Sequence, residues 1–540
     1  FSILLSIKDH QKETLSKAIL GLKNQIYPHW ELTILSNPSN KDTFEDAFTL
    51  ICAGDPRCKR IYYQIQDDEN AALNSALERC DGDFFIHLQP NQILREHALY
   101  LVATAINQHP EVDAIYTDED KLDQNNQRCS PFFKPDWNPD MFLSQNLFSG
   151  LGAFRTDVVK DASGFSKTAD VDHNWDLALR IIEKIPASHI RHVPHICVHI
   201  KQIQEINKSK PDKDQRYQTL IAHFMRLHIP VEILQTGNQY WHIRFPIPDP
   251  QPLVSIIIPT KDQVQLLKVC LESIDYKTTY SNYEILVVNN QSTDPEALAY
   301  YDDIKQKEYI TLLDYDQPFN YAAINNTAVK HANGDVLIFL NDDTKVISPH
   351  WLEELVSHAL RKEIGAVGAM LYFPDDSIQH AGIILNPEII AGHAFYLQPQ
   401  AFRGQNDRVQ YAQNYSAVTA ACMAVEKSKF LAVSGFDEEN LTIAYNDIDF
   451  CLKLVEAGYY NLWTPYAEVY HHESVSRGYD QDIGKHERLQ KEANYLRTRW
   501  KNKINNDPAY HPNLKGYPLF SLVDPPGVEK PWKDFIAGQH

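Results

Sequence analysis

The chain has 540 residues, of which 51 are Lys or Arg and 71 are Asp or Glu, giving a formal net charge of −20. Hydrophobic residues make up 43% and aromatic residues 11%, which suits a folded chain with sizeable cores and argues against disorder. The acidic balance argues against binding to nucleic-acid phosphates. Eight scattered cysteines form no CxxC pair and indicate thiols in a reducing compartment. The longest apolar runs are strand-sized, too short to cross a bilayer.

Taken in chain order, sequence blocks of the first half recur in the second half. The pairs are SILLSIKD (2–9) with SIIIPTKD (255–262), YPHWEL (27–32) with YSNYEI (280–285), GDFFIHL (82–88) with GDVLIFL (334–340), and NWDLALR (174–180) with DIDFCLK (447–453). Their shared order indicates two copies of one domain. Between the copies, FPIPDPQP (245–252) has proline at every second position, which is typical of a stiff linker.

Within each copy, short apolar runs alternate with helical patterns. In the second copy, Val254–Ile258 precedes the helix-like Val264–Ile274, and Asn325–Ala332 precedes the apolar run Val336–Leu340. This alternation predicts an α/β fold of two tandem domains, each with a mainly parallel sheet buried on both faces. Ligands bind at the carboxyl ends of strands in such sheets, so functional residues should directly follow the apolar runs.

We place the domain boundaries by the repeat and the linker. The predicted units are a first domain over 1–245, a linker over 246–252, a second domain over 253–500 and a C-terminal extension over 501–540.

Polar residues follow the strand-like run 336–340, beginning with Asn341. Adjacent carboxylates, Asp342 and Asp343, repel each other unless a cation lies nearby, and a hard divalent ion with oxygen ligands fits such a pair. A solvated acidic turn explains the motif equally well at this point.

A second group of polar residues lies at a predicted helix start, Asn446–Asp449. Asp447 is either a helix cap or a carboxylate that is kept ionised at a helix N-terminus and can accept a proton. Further along, His471 and His472 are structural residues or ligands that complete a carboxylate metal site.

The repeat helps to decide between these readings. The first copy has Gln89–Asn91 where the second has Asn341–Asp343, and it has Asn174 where the second has Asp447. Asn caps a helix about as well as Asp but cannot accept a proton at neutral pH. The joint loss of both features favours an active second copy and a non-catalytic first copy.

The second copy resembles a family 2 glycosyltransferase with the GT-A fold, of the kind found in bacterial O-antigen and other surface-polysaccharide assembly. The motifs that carry this resemblance are VSIIIPTKD (254–262), EILVVNNQSTD (284–294), NYAAINNTAVKHANGDVLIFLNDDT (320–344), QHAGIIL (379–385), YSAVTAACMAV (415–425), GFDE (435–438), NDIDFCLK (446–453) and YHHESVSRG (470–478). The first copy shares IYTDEDK (115–121), PFFKPDWNPDMFLSQN (131–146) and WDLALR (175–180) with that family. The resemblance implies two tandem GT-A domains over residues 1–522.

The resemblance also implies expected roles for individual residues. Nucleotide contacts are expected at Pro259, Thr260, Asp262, Asn289, Asn290, Asn341 and Arg477, with Ser474 beside the pyrophosphate. Metal ligands are expected at Asp343, Asp342 and His471, with His472 as the alternative, and His471 aligns with His199 of the first copy. The expected general base is Asp447, and acceptor contacts are assigned to Trp351, His380, His393 and Asn414, of which Trp351 and His380 are equally well explained as packing residues.

By this resemblance the chain is expected to be an inverting hexosyl- or deoxyhexosyltransferase that depends on Mn²⁺ or Mg²⁺. The expected donor is a UDP-, dTDP- or GDP-linked sugar, and the expected acceptor is a glycan or lipid-linked glycan. The basic stretch 485–503 is either a solvated helix or a contact with the cytoplasmic face of the inner membrane, so we expect a cytoplasmic or peripheral location.

Other functions fit these residues less well. A nucleotidyltransferase would need a Gly-rich loop after the first strand, and Pro259–Gln263 contains no glycine. A glycoside hydrolase would need a facing pair of carboxylates, whereas Asp447 and Asp449 lie two residues apart at a helix start. Asp449 instead suits a structural anchor, because Asp176 occupies its place in the first copy. A non-catalytic carbohydrate- or nucleotide-binding scaffold is the alternative for the whole chain.

Overall fold

The computed structural model describes residues 1–7, 12–36, 48–49, 51–52, 54–62, 69–168, 171–202, 213–236, 240–472, 483–516, 519–523, 527 and 530–533. The elements of the first copy, in chain order, are β1 (Ser2–Ile7), α1 (Lys12–Lys23), β2 (Glu31–Ser36), β3 (Cys58–Tyr62), α2 (Glu69–Leu77), β4 (Phe84–Leu88), β5 (Gln92–Leu94), α3 (Ala98–Gln108), β6 (Ala114–Leu122), β7 (Arg128–Phe132), α4 (Pro139–Phe142), β8 (Gly152–Arg155), α5 (Thr156–Asp161), α6 (His173–Ile182), β9 (Ile190–Lys201), α7 (Lys213–Leu227), β10 (Glu232–Gln235) and β11 (Trp241–Arg244).

The second copy begins directly after the proline-rich segment. Its elements, with the helices that follow, are β12 (Val254–Thr260), α8 (Val264–Lys277), β13 (Tyr283–Asn289), α9 (Pro295–Ile304), β14 (Ile310–Asp314), α10 (Tyr321–Val329), β15 (Val336–Leu340), β16 (Thr344–Val346), α11 (Trp351–Ala359), β17 (Ile364–Tyr372), β18 (Ile378–His380), β19 (Ile383–Asn386), β20 (Ile390–His393), β21 (Gln413–Tyr415), β22 (Cys422–Glu426), α12 (Lys427–Ala432), α13 (Asn446–Glu456), β23 (Tyr460–His471), α14 (Ile483–Arg499) and α15 (Lys501–Asn505).

The two large sheets have the same strand order. The first sheet runs β3-β2-β1-β4-β8-β6-β9-β5, and the second runs β14-β13-β12-β15-β22-β17-β23-β16. In both sheets the first four strands of this order are parallel neighbours, and the fifth strand is antiparallel to the fourth. The predicted α/β fold with two tandem domains and mainly parallel pairing is confirmed.

Local contacts repeat along with the topology. The hydroxyl of Ser255 is 2.6 Å from Oε1 of Glu284 and accepts the N–H of Gly334 at 2.8 Å. In the first copy the same two contacts join Ser2 to Glu31 and Gly82. A Cβ at Gly334 would lie 2.6 Å from the backbone nitrogen of Ser255, so only glycine lets the two chain segments approach this closely.

The second sheet is covered on both faces. Along β15, Leu337 and Phe339 pack into one hydrophobic cluster with residues of α10 and α13, while Val336, Ile338 and Leu340 pack into the other with residues of α8 and α11. Successive strand residues point to opposite faces, so a strand that is covered on both faces must be apolar throughout. This explains why residues 336–340 form an unbroken apolar run.

Contacts join the two copies. Nη1 of Arg361 is 2.5 Å from Oδ1 of Asp140, and both side chains are less than a tenth exposed. His242 of β11 places Nε2 2.7 Å from Oε2 of Glu354, a buried carboxylate of α11. Within the described residues, no helix is long and apolar enough to span a membrane.

Candidate active site

The carboxylate motif lies where β15 ends. The chain turns through Asn341, Asp342 and Asp343 into β16, which pairs antiparallel with the end of β23 so that Thr344 lies opposite His471. This pairing places Nε2 of His471 3.1 Å from Oδ1 of Asp343. Both side chains are almost buried, and Nδ2 of Asn341 is also 3.1 Å from Nε2 of His471. An imidazole nitrogen and a carboxylate oxygen that converge in this way suit a divalent cation.

The two aspartates of this motif have different surroundings. Oδ2 of Asp342 accepts the hydroxyl of Thr260 at 2.7 Å, which ties the end of β12 to the turn after β15. Asp343 is the carboxylate that faces His471, so the residues that fit a cation are Asp343 and His471, with Asn341 beside them. His472 follows the end of β23, and its backbone N–H donates to the main-chain oxygen of Asp343 at 2.9 Å.

Side chains expected to contact the nucleotide shape the loops after β12 and β13. Asp262, whose φ is +54°, accepts the N–H groups of Thr293 and Asp294 through Oδ1. The amide of Asn289 donates to Asp314 at 2.9 Å. Asn290 is 2% exposed and donates to two main-chain oxygens, those of residues 315 and 317. Asn290 therefore supports the loop from inside, and its contact with the nucleotide stays a prediction.

Two further expected nucleotide contacts are placed as follows. Pro259 is buried within β12, opposite Val288 of β13. Arg477, together with Ser474, lies outside the described residues.

Asp447 lies in the first turn of α13. Tyr445, with φ +61°, takes the position before the helix, so neither Asn446 nor Asp447 is the cap considered from the sequence. The Asp447 carboxylate accepts the N–H of Ala420 at 3.2 Å and that of Ile448 at 2.9 Å. Burial raises the pKa of Asp447 above its ordinary value, while the hydrogen bonds from Ala420 and Ile448 act in the opposite direction. The result is a half-buried carboxyl group held by main-chain donors.

A short chain of contacts joins Asp447 to the carboxylate motif. The N–H of Ala420 contacts Asp447, and the carbonyl of the next residue, Ala421, accepts the N–H of Asn341 at 3.1 Å. The hydroxyl of Tyr321 donates to the carbonyl of Ala420 at 3.1 Å and is 3.5 Å from Oδ1 of Asn341. The candidate base and the candidate cation ligands therefore lie at the same edge of the second sheet.

The expected acceptor residues divide into two groups. Trp351 is fully buried in the core and donates its indole N–H to Thr278, so it packs and does not face the site. Asn414 bonds Asn138 and Asp140 of the first copy, so it belongs to the contact between copies. Tertiary packing engages both side chains, and these contacts do not support the predicted assignment of either residue to the acceptor.

His380 and His393 form a pair near His471. Their Nδ1 atoms are 2.8 Å apart, so one ring donates to the other. Burial lowers the pKa of His393 to about 4 and that of His380 well below its ordinary value, and His471 adds to both shifts. Both rings are therefore neutral near pH 7. His380 is fully buried, whereas His393 is partly exposed and is the better placed of the two to meet a ligand.

The sequence profile of the glycosyl transferase family 2 matches residues 2–162 and 255–423. The chain belongs to this family. Among curated relatives, an uncharacterized protein, y4gI, of Sinorhizobium fredii is 36% identical over 528 residues, which is 95% of this chain and 57% of that protein. The O-antigen biosynthesis protein RfbC of Myxococcus xanthus is 32% identical over 485 residues, covering 89% of this chain and 38% of that protein.

This family 2 chain thus spans well under two thirds of these two relatives. Among solved structures, a mannosyltransferase of Pyrobaculum calidifontis in complex with GDP-mannose and Mn²⁺ is similar over 54% of this chain and 74% of its own, with 18% identity and a TM-score of 0.36.

The first family 2 domain differs from the second at the positions of Asp343, Asp447 and His471. Asn91 replaces Asp343 and donates to the main-chain oxygen of Lys201 at 3.5 Å. Asn174 replaces Asp447, and its Oδ1 is 2.7 Å from Nδ1 of His87. The strand register corrects one expected alignment: β5 pairs Gln92 with Ile200, as β16 pairs Thr344 with His471. The counterpart of His471 is therefore Ile200, and the predicted alignment with His199 is wrong by one residue, which reverses the face of a strand.

The structural role expected for Asp449 is supported by its contacts. Asp449 is fully buried and accepts the indole N–H of Trp500 at 2.8 Å, with Lys453 and Arg499 nearby. The equivalent contacts in the first family 2 domain join Asp176 to Arg180 and Arg226.

A buried Asp–His cluster joins the first family 2 domain to the C-terminal segment. Among the described residues, Asp118, His192 and His511 are the group of three His, Cys, Asp or Glu side chains close enough to hold a metal ion. Nε2 of His192 is 2.9 Å from Asp118, and Nε2 of His511 is 2.6 Å from it. Because Nδ1 of His511 accepts the N–H of Asn513, its proton lies on Nε2 and points at Asp118. Hydrogen bonds account for this cluster, which ties the C-terminal segment to the first domain.

Sequence reasoning missed two residues of the site. Gln379 lies 2.7 Å from the ring of His471, and Tyr321 bridges Ala420 and Asn341. Gln379 stands in the motif QHAGIIL (379–385), in which the resemblance assigned a role to the adjacent His380 alone.

Proposed function

We propose that the second domain transfers a sugar, with inversion, from a nucleotide-sugar donor to a hydroxyl group of a glycan acceptor. The observation that carries this proposal is the placement of Asp447 and of the Asp343–His471 pair at one edge of one sheet, joined through Ala420 and Asn341. Family 2 membership supports sugar transfer as the reaction.

In the proposed reaction, the carboxylate of Asp447 takes the proton of the acceptor hydroxyl. The acceptor oxygen forms a bond to the anomeric carbon while the bond from that carbon to the diphosphate breaks, and the electron pair stays on the diphosphate. Attack opposite the leaving group inverts the anomeric configuration. The position of Asp447 in the first turn of α13 favours the ionised form that a base needs, because the helix N-terminus is partly positive.

Asp343 and His471 would hold a divalent cation, with Asn341 beside them, and this donor set of carboxylate and imidazole fits Mn²⁺ or Mg²⁺. When bound, such a cation would offset the charge that develops on the departing nucleoside diphosphate. The diphosphate leaves without a proton, so one base is enough.

The substrate class is proposed from the relatives. The name of the Myxococcus xanthus relative supports a glycan acceptor in bacterial surface-polysaccharide assembly, and we extend this to a hexosyl or deoxyhexosyl donor linked to UDP, dTDP or GDP. The first domain is proposed to be non-catalytic, because Asn91, Asn174 and Ile200 stand where the second has Asp343, Asp447 and His471.

Donor hydrolysis by the full chain, screened over a panel of nucleotide sugars with and without Mn²⁺, tests this proposal. We expect the wild-type chain to consume one donor, and only when Mn²⁺ is present. We expect Asp343→Asn to weaken the binding of Mn²⁺ and of the nucleoside diphosphate together. The matched control is Asn91→Ala at the equivalent first-domain position, which should leave both unchanged. A chain that binds neither ion nor nucleotide by calorimetry would instead be a scaffold.

A further inference from the structure

Gln379 holds His471 through both ends of its amide. The Oε1 atom of Gln379 is 2.7 Å from Nδ1 of His471, and its Nε2 donates to the main-chain oxygen of His471 at 3.3 Å. The Gln379 side chain is 3% exposed, so protein packing limits its movement. The donation to a main-chain carbonyl fixes which end of the amide is nitrogen. The oxygen end therefore faces the ring.

This contact determines the tautomer of His471. An amide oxygen only accepts hydrogen bonds, so Nδ1 of His471 must carry the proton. In the neutral ring the lone pair is then on Nε2, which accepts the amide N–H of Asn341 and lies 3.1 Å from both Nδ2 of Asn341 and Oδ1 of Asp343. A histidine binds a metal through an unprotonated ring nitrogen, and the hydrogen bond made by the other nitrogen selects it.

We propose that Gln379 is a positioning residue, which fixes the ring orientation and tautomer of His471 for cation binding beside Asp343. The inference rests on the proposed function, because it assumes that Asp343 and His471 bind a cation. Gln379 itself contacts neither ion nor substrate.

The first domain lacks both partners of this contact. β7 pairs Phe132 with Glu119 where β18 pairs His380 with Leu371, so Pro131 occupies the place of Gln379. Ile200 occupies the place of His471. Proline has no side-chain hydrogen-bond acceptor, and isoleucine has no ring N–H that could donate to one. The glutamine and the histidine are thus present together in one domain and absent together in the other.

The test is Mn²⁺ binding to the full chain without substrate, measured by the loss of the electron paramagnetic resonance signal of the free ion. Gln379→Met keeps the length of the side chain but removes its acceptor, and we expect Mn²⁺ to bind about 10–100-fold more weakly. Gln379→Glu keeps an acceptor for the ring and should bind Mn²⁺ close to the wild-type affinity.

Gln92 provides a matched control in the first domain. It is 4% exposed, its Nε2 donates to the main-chain oxygen of Ser149 and its Oε1 accepts the N–H of Gln89. Gln92→Met should therefore affect thermal stability as Gln379→Met does, while leaving Mn²⁺ binding unchanged.

The outcomes separate this inference from the proposed function. Wild-type affinity in a folded Gln379→Met chain overturns the positioning role and leaves the cation site standing. Failure of the wild-type chain to bind Mn²⁺ overturns both. Melting curves without the ion report whether each variant folds. If Gln379→Met is unfolded, Gln379→Asn replaces it, because its shorter amide cannot reach the ring, and we expect the same weakening of Mn²⁺ binding. Wild-type affinity in folded Gln379→Asn would again overturn the positioning role.

Discussion

Two aspartates in one turn of α13 are given different properties by their surroundings. Asp449 is fully buried and surrounded by donors from Trp500, Lys453 and Arg499, so its charge is compensated within the protein. Asp447 is partly exposed and is held by main-chain N–H groups, with burial raising its pKa. A buried carboxylate whose charge is compensated by neighbouring cations supports the fold, whereas one with an open side can exchange a proton with a ligand.

At this scale we predict that Asp449→Ala destabilises the fold. Removing one partner of a buried ion pair leaves the remaining charges uncompensated, which costs about 3–5 kcal/mol. Urea unfolding, followed by fluorescence, measures the change. Asp447→Asn is the control, expected to alter the free energy of unfolding by less than about 1 kcal/mol. Equal effects of the two substitutions would contradict the distinction between them.

The geometry of the site depends on contacts between the ends of several strands. The turn between β15 and β16 presents Asp342 to Thr260 at the end of β12 and Asp343 to His471 at the end of β23. Each contact joins elements far apart in the chain. The strand pairing thus sets the geometry of the site, and the helices cover the faces of the sheet.

Thr260→Val tests the hydrogen bond that joins the end of β12 to Asp342 in the turn after β15. The valine fills the same space but leaves one oxygen of the buried Asp342 without the hydroxyl donor, which should cost about 1–3 kcal/mol of stability. We also expect a higher KM for the donor, because the turn that carries Asp343 is loosened. Thr260→Ser should restore both quantities in urea unfolding and steady-state kinetics. If valine and serine behave alike, the hydroxyl has no such role.

The repeat made much of the fold predictable from the sequence. Paired blocks such as 82–88 and 334–340 indicated two copies, and the apolar run 336–340 indicated a doubly covered strand with polar residues after it. Contacts that depend on distant packing could not be predicted from the sequence. Nothing local distinguishes a buried Trp351 from an exposed one, and Asn414 is engaged by the other copy. A one-residue choice between His199 and Ile200 requires the strand register.

At the scale of the whole molecule, the C-terminal segment connects the two copies. Asp507 accepts the N–H of Leu385 and the hydroxyl of Ser416 in the second domain, while His511 contacts Asp118 in the first. The first domain therefore contributes to how the second domain is held.

The Asp118 cluster predicts a pH dependence of stability. His192 lies between Asp118 and Asp136, with His511 and His195 nearby. Burial lowers the pKa of His192, but the two carboxylates outweigh it and raise the pKa from 6.5 to about 9. A raised pKa stabilises the folded state fully below about pH 6.5, and this contribution is lost as the pH rises through 9. The melting temperature, measured from pH 6 to 10, should fall across that window. In His192→Gln it should fall less steeply. An equal fall in both chains would contradict this assignment.

The most direct test of the central claim is Asp447→Asn, which places in the second domain the residue that the first domain has at Asn174. Transfer to acceptor and the binding of Mn²⁺ and nucleoside diphosphate would be measured on the same preparation, with Asn174→Ala as the control. We predict that transfer is abolished in Asp447→Asn while both dissociation constants stay close to wild type, because only the proton acceptor is removed. Continued transfer by this variant at the wild-type rate would contradict the account.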